Sequence, residues 1–329
     1  MASPKAYDEV DIMSYPFVSI IIPCRKIDDQ ARECVIRCAE LDYPAFEIMV
    51  LPDRADAPSL EDAVVIQTGD VSPGRKRNIG AKTAKGDVLA FIDSDAYPRR
   101  DWLSNAIRYL QMAGVGAVGG PAITPAEDGP LAKAEGIMLS SFLVGGGLSF
   151  RYSGRGISFD VDDIHSVNFL AWRSVIEAAG GWNETFWPGE DTLICLGIKK
   201  AGYRQLFAGD VLVYHHRRPT WKGYLRQLYN YGLHRGHFAR RFPETSRRPN
   251  YFLPMAMLLW IPIGIIISLT VNDAIWVYAI TLLIYSSLVG AVVIKNPAYA
   301  LLIAVGIPLT HMTYGAGFLH GLLARRLKR

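Results

Sequence analysis

The sequence predicts an α/β protein: a doubly wound sheet of buried strands, followed by a C-terminal transmembrane helical region. Three observations carry that reading. Short apolar runs alternate with helical patterns up to Arg218, the rhythm of strands joined by helices that cover both faces of a sheet. One run, Gly86-Asp87-Val88-Leu89-Ala90-Phe91-Ile92, ends in Asp93-Ser94-Asp95, so a buried strand delivers two carboxylates at its carboxyl edge. Beyond Asn250 the chain turns apolar for stretches of about 20 residues, the length a helix needs to cross a bilayer.

The 329 residues suffice for one large domain or two, at about 100–200 residues each. Half are hydrophobic, and the excess collects after Asn250, which separates a soluble portion from a membrane portion. The formal charge of +4, from 35 Lys and Arg against 31 Asp and Glu, is too mild to mark a nucleic-acid binder. Cys24, Cys34, Cys38 and Cys195 are too few and too unevenly spaced for a disulfide scaffold or a zinc site, so free thiols in a reducing compartment are expected. Residues 1–15 carry acids and no long apolar core. No secretory signal is expected, and the soluble portion is assigned to the cytoplasm.

Phe17–Pro23 reads as the first buried strand and 28–41 as the helix after it. Glu47–Leu51 is a second strand, delivering Asp53 just past its end, and Ala63–Ile66 a third. A parallel arrangement gathers Pro23, Asp53 and Asp93–Asp95 along one edge, where open α/β sheets bind ligands. Paired acids there suit a hard divalent cation that bridges nucleotide phosphates. Equally, Asp95 before Ala96-Tyr97-Pro98 suits the cap of a helix starting near Asp101. Between the third and fourth strands, Ser72–Ala81 enters a helix with Arg75, Lys76 and Arg77 in succession. Free N–H groups at a helix start and a guanidinium, Arg77 by preference, suit a diphosphate; a solvated basic face is the alternative.

Asp101–Met112 has a helical pattern and Val115–Val118 that of a strand. The pattern then loosens: 130–144 reads as helix, while Gly145-Gly146-Gly147 and Ser153-Gly154-Arg155-Gly156 read as mobile loops. His165–Leu170 is strand-like and Arg173–Ala179 helical. Gly180-Gly181-Trp182-Asn183-Glu184 turns towards Phe186-Trp187-Pro188-Gly189-Glu190-Asp191, and the helix over 192–201 carries both acids in its first turn. Such acids often only complement the helix dipole. Flanked by Trp182 and Trp187, whose rings can stack on a sugar, one of them makes a competent general base. Val211–Tyr214 is a last strand, and His215 at its end can complete a metal site begun by carboxylates, tilting the choice from Mg²⁺ towards Mn²⁺. A basic, aromatic helix over 220–242 forms, with Arg247 and Arg248, a cationic collar suited to anionic lipid headgroups.

Tyr251–Val271 and Ala274–Ile294, separated by Asn272-Asp273, read as a transmembrane hairpin. Arg247, Arg248 and Lys295 fall on one side of it, and the excess of positive charge assigns that side to the cytoplasm. Tyr299–Leu323 is a third apolar stretch, interrupted by Pro308. As a full span it would leave Arg325-Arg326-Leu327-Lys328-Arg329 outside, against the charge rule, so a bent or re-entrant path is the alternative and two or three spans are expected. Gly317 and Gly321 suit close helix contact and hence oligomerisation.

Taken in order, Val18-Ser19-Ile20-Ile21-Ile22-Pro23, Arg77-Asn78-Ile79-Gly80, Gly86-Asp87, Asp93-Ser94-Asp95, Gly180-Gly181-Trp182 and Gly189-Glu190-Asp191 resemble the motifs of membrane-associated family 2 glycosyltransferases of the GT-A fold. The resemblance covers roughly Phe17–Arg218 and implies a mixed, doubly wound sheet that carries out inverting transfer from a UDP- or GDP-linked sugar. It implies that Asp53 and Asp93 contact the nucleoside, that Asp95 holds Mn²⁺ or Mg²⁺ on the diphosphate with His215 as a further contact, and that Asp191 is the catalytic base. Pro23, Arg77 and Ser94 are expected at the nucleotide sugar, and Trp182, Trp187 and Glu190 at the acceptor. Processive members such as cellulose and hyaluronan synthases carry Gln-any-any-Arg-Trp after the base. This chain has Arg226-Gln227 and Tyr231-Gly232-Leu233-His234-Arg235 instead, so transfer of one sugar is expected. At Val50-Leu51-Pro52-Asp53 the paired acids of many relatives are also missing.

The organisation expected is a cytoplasmic catalytic domain over 1–218, a basic interfacial helix and linker over 219–250, and a membrane region over 251–329. Tethering beside the bilayer favours a lipid-linked saccharide as acceptor. Direct transfer to a polyprenyl phosphate is the alternative within the enzyme class, and a non-catalytic nucleotide-binding membrane partner is the alternative outside it. A transporter is disfavoured because the apolar segments lack the intramembrane acids such a pathway uses.

Overall fold

The computed structural model describes residues 15–54, 60–154, 156–271 and 273–327. The lead up to Ser14, Arg155, Asn272 and the last two residues of the basic tail, each part of an expectation above, lie outside the described residues.

The soluble unit begins with β1 (Val18–Pro23), α1 (Asp29–Ala39), β2 (Phe46–Leu51), β3 (Val64–Val65), α2 (Pro73–Thr83) and β4 (Val88–Ile92). All six residues of β1 and all five of β4 are buried, which is why these strands read as unbroken apolar runs rather than alternating ones. α1 starts where the Asp28 carboxylate accepts the Ala31 N–H at 3.2 Å. There follow β5 (Ala96–Pro98), α3 (Trp102–Leu110), β6 (Val115–Gly119), β7 (Ala122–Ile123), α4 (Pro130–Ser140), α5 (Phe142–Gly145), β8 (Ser158–Asp160), β9 (Asn168–Trp172), α6 (Arg173–Ala178), α7 (Glu190–Lys200), β10 (Arg204–Ala208) and β11 (Val213–His215).

The large sheet has the order β3-β2-β1-β4-β9-β6-β10-β8. β1 pairs parallel with β2 and β4, but β9 runs antiparallel between β4 and β6. The sheet is therefore mixed, as the resemblance implies, although an apolar run by itself does not encode a strand's direction. A second sheet, β5-β11-β7, sets His215 opposite Ala96, the residue after Asp95. Buried Asn168 links the two sheets: its Oδ1 accepts from Trp102 Nε1 at 2.9 Å, and its Nδ2 donates to the Val211 carbonyl at 2.7 Å.

Several expectations are corrected. Ala96–Pro98 is a strand, so Asp95 caps no helix; α3 begins after Asp101. Gly146–Tyr152 forms a 3-10 helix instead of a loop. The strand expected from His165 starts at Asn168. β7, β8 and β10 were not foreseen; two or three residues, or a run broken by polar Arg204 and Gln205, give too little periodicity to read.

The helical region comprises α8 (Trp221–Arg241), α9 (Pro243–Ser246), α10 (Pro249–Thr270), α11 (Ala274–Lys295) and α12 (Ala300–Leu323). Among the described residues α10, α11 and the segment Pro297–Leu323 are long and apolar enough to cross a membrane. α12 is one continuous helix through Pro308, so no break divides the third apolar stretch after Tyr299. Gly317 and Gly321 face the backbone of Tyr229 and Leu233 in α8, while Gly232 and Gly236 of α8 face that of Tyr314 and Phe318. The contact that suggested oligomerisation is thus made within the chain, between helices drawn together by a small residue every fourth position on both sides. The opposite face of α8 meets the soluble unit, with the Phe238 ring filling the space a Cβ on Gly189 would need.

Replacing Gly321 by Val is expected to force α12 away from α8 and cost about 2 kcal/mol or more, read as a lower Tm in detergent. Gly290, whose surroundings are open, is expected to accept Ala with no loss.

Candidate active site

The site is framed from α2. Its three consecutive bases cannot share one helix face, since successive side chains lie about 100° apart, and only Arg75 is exposed. Lys76 is buried and donates to the Cys24 carbonyl at 2.6 Å and the Leu51 carbonyl at 3.3 Å, at the ends of β1 and β2; it also pairs with Asp53. Arg77 is 2 % exposed and holds two carboxylates, Asp93 at 2.7 Å and Glu190 at 2.9 Å, with its guanidinium 4.9 Å over the Trp182 ring. Asn78 clamps the glycine turn, accepting the Trp182 N–H at 2.8 Å and donating to the Trp182 carbonyl at 2.9 Å. Gly80 lets Ile21 of β1 close against the helix. Each residue of Arg77-Asn78-Ile79-Gly80 that touches a neighbour in this way does so to brace the fold.

This overturns part of the sequence reading. Arg77 is buried and both its terminal nitrogens are taken by carboxylates, so it is not a diphosphate ligand. The start of α2 is no open anion site either: Ser72 Oγ donates to the Glu184 carbonyl at 2.9 Å, and Gly74 lies against the Asn183 backbone. Trp182 is buried, edge-on to Phe91 and Phe169 at 4.9 and 5.2 Å, and cannot stack on an acceptor. Glu190 is buried against Arg77 rather than turned to an acceptor, and burial pushes its carboxyl up to about 7. Trp187, in contrast, is 59 % exposed and offers its ring.

Asp95 and His215 meet across the second sheet. His215 Nε2 lies 3.3 Å from Asp95 Oδ1, and Arg218 Nη1 lies 3.2 Å from Asp95 Oδ2. Burial alone would raise the Asp95 carboxyl, but the His215 ring and the Arg218 guanidinium hold it well below the usual carboxylate range. Among the described residues no group of three or more His, Cys, Asp or Glu side chains gathers as a metal cage. One carboxylate beside one imidazole, with the remaining positions left to ligand oxygens, fits a divalent ion carried in on a diphosphate. His216 is engaged elsewhere, with Asp128 at 2.6 Å and Glu33 at 3.0 Å. Pro23 ends β1 in the core, Asp53 sits under Lys76, and Asp93, 32 % exposed at its side chain, keeps an open side next to Ser94.

Asp191 is the second residue of α7, and its Oδ1 accepts the Thr192 N–H at 2.8 Å. Burial raises its carboxyl above the ordinary range and the neighbouring Asp163 adds to the rise, while Arg235 and Arg151 oppose it. Asp163 escaped the sequence reading, and Arg235 was singled out there only as part of the run Tyr231–Arg235, with no role at the acids. Arg235 Nη2 reaches from α8 to Asp163 Oδ2 at 2.6 Å, Thr192 Oγ1 lies 3.4 Å from the same oxygen, and Arg235 stacks 4.9 Å over Tyr251 of α10. A cavity of about 500 Å³ beyond Asp163, walled by Leu148, Phe150, Leu196 and Tyr251, is lined by neither Asp95 nor Asp191.

A family model described as "Glycosyl transferase family group 2" matches residues 88–312, more than half of the chain, and one described as "Glycosyltransferase like family 2" matches residues 16–129. The chain belongs to glycosyltransferase family 2. This glycosyltransferase is 26 % identical over 262 residues to the pre-mycofactocin glycosyltransferase of Mycobacterium tuberculosis, covering 77 % of this chain and 53 % of that protein. It thus spans about half the length of that relative. It is 24 % identical over 217 residues to the glycosyltransferase AglE of Haloferax volcanii, covering 62 % and 68 % of the two chains. Its fold is that of the mannosyltransferase PcManGT from Pyrobaculum calidifontis, solved in complex with GDP-Man and Mn²⁺, with a TM-score of 0.56 at 17 % identity over 95 % of this chain and 89 % of that one. The architecture is therefore GT-A.

In this glycosyltransferase Arg77→Met leaves two acids without their partner. We expect a loss of about 3–5 kcal/mol, read by thermal unfolding, far above the effect of Arg75→Met on the exposed side of the same helix.

Proposed function

We propose that the protein transfers a single sugar, with inversion, from a UDP- or GDP-linked donor to a lipid-linked saccharide at the cytoplasmic face of a membrane. The observation that carries this reading is the double ion pair of Arg77, which ties the acids after β4 to the acids that open α7. It supports a single cleft with Asp95 on one wall and Asp191 on the other. The apolar hairpin of α10 and α11 supports a membrane-bound acceptor, because it holds the cleft where such a lipid is concentrated. The Mn²⁺ and GDP-Man bound by the Pyrobaculum mannosyltransferase make that pair the first donor to test.

A divalent ion on Asp95 and His215 would neutralise charge on the departing diphosphate. The chain's own residues do the rest. Arg218, beside Asp95, adds a positive charge at the same place. Asp93 and Asp53 face the nucleoside, with Lys76 fixing one oxygen of Asp53. Trp187 presents a ring to the acceptor sugar. Asp191, its carboxylate oriented by the Thr192 N–H, removes the proton of the acceptor hydroxyl as that oxygen attacks the anomeric carbon.

Asp191→Asn is expected to reduce transfer to a hydroxyl acceptor about 100-fold or more, while the thermal stabilisation of the protein by donor with Mn²⁺ persists. Full transfer by this variant to a polyprenyl phosphate, whose acceptor oxygen is already anionic, would instead favour that acceptor. No turnover of UDP- or GDP-sugars by the wild type would favour a non-catalytic partner. Asp95→Asn is expected to remove the Mn²⁺-dependent part of the donor-induced Tm rise. Because the Asp191 carboxyl is raised, activity should fall as pH drops at a point above that of an ordinary carboxylate. Asp163→Asn removes a like charge and should move that acid limb of the rate profile to lower pH; Arg235→Gln should move it to higher pH.

A further inference from the structure

α12 is long enough to span, at about 36 Å for its length, yet its contacts describe another position. It runs parallel to α8 from Gly306 to Leu322, opposite Trp221 to Arg240. Gly306 meets Trp221, and Tyr224 Oη bonds Thr310 Oγ1 at 2.6 Å near their starts; Tyr229 Oη bonds His320 Nδ1 at 2.6 Å further on; Arg240 donates to the Leu322 carbonyl at 2.9 Å at their ends. The two helices therefore share one orientation in the membrane. α8 carries Lys222, Arg226, Arg240 and Arg241 on exposed positions, and it is fastened to the soluble unit through Arg235 and Phe238. Such a helix does not cross hydrocarbon.

The hairpin gives the same answer. α10 meets α12 through its first turns, with Phe252 4.7 Å from Phe318 and the Pro254 backbone against Gly315. α11 meets it through its second half, where Tyr285 Oη, at mid-helix, bonds His311 Nδ1 at 3.0 Å and Val289, nearer the end, joins Ile303 and Ile307. The contacts of α12 thus fall on the half of the hairpin nearest the sheets. At the far end, Leu269 and Trp276 are exposed.

We propose that α12 does not traverse the bilayer but lies along it, in the acyl layer of the cytoplasmic leaflet, beneath α8 and across the base of a two-span hairpin. Its outward stripe, Leu301, Val305, Met312 and Leu323, is exposed and apolar, with exposed His320 on its flank bonded to Tyr229, and it continues the lipid-facing surface of the hairpin. Arg325 and Arg326 then remain on the positive side instead of violating the charge rule. This placement rests on the membrane face proposed above.

The test uses single cysteines in the full chain, Gln30→Cys in the soluble unit, Val271→Cys at the tip of the hairpin and Leu327→Cys after α12, against the wild type, whose four cysteines are buried. A membrane-impermeant maleimide applied to right-side-out and inverted vesicles is expected to label positions 30 and 327 from one side and 271 from the other. Labelling of 327 from the side opposite 30 overturns the proposal. Labelling of 30 and 271 from one side overturns the hairpin reading instead, and the proposal is then decided by nitroxides at Leu301 and Leu323: similar depth in one leaflet supports it, and opposite leaflets overturn it.

Discussion

One buried guanidinium holds the acidic face of the sheet unit together. Arg77 accepts nothing and must spend its donors, and it directs them at Asp93 and Glu190 while resting on Trp182. A charge this deep persists only when paired, so the loop after β4, the first turn of α7 and the glycine turn before it cannot drift apart without stranding it. The like charges of the acidic cluster are kept close by the same residue that pays for their burial. Lys76, one position earlier, does similar work for the ends of β1 and β2 and for Asp53.

The corner around Asp191 is built on a second ion pair. Asp163 and Arg235 connect α7 to α8, and Arg235 goes on to Tyr251 at the start of α10. The charge environment of Asp191 is thus set partly by α8, a helix outside the sheet unit.

Much of this was legible in the residues. The buried strands, the helix starts at Asp28 and Ser72, and the acids at the ends of β4 and at the start of α7 could be read because each depends on local pattern or on motif. What could not be read depends on partners distant in sequence. Nothing in Arg75-Lys76-Arg77 says which base turns inward, although their spacing requires that they diverge; nothing around Trp182 distinguishes a stacking platform from a core ring. Asp163 and Arg235 meet across 72 residues, and neither stretch says that the other is its partner. The direction of β9 and the partner of the glycines in α12 were hidden for the same reason: periodicity reports which face is covered, not by what.

The interleaved glycines of α8 and α12 also impose an order of assembly. During synthesis α8 emerges before α12, and its notched face stays uncovered until the last of the helices has been made. A chain cut short before α12 would keep the sheet and the acids, but the helix that carries Arg235 would lack the partner its glycines are shaped to meet.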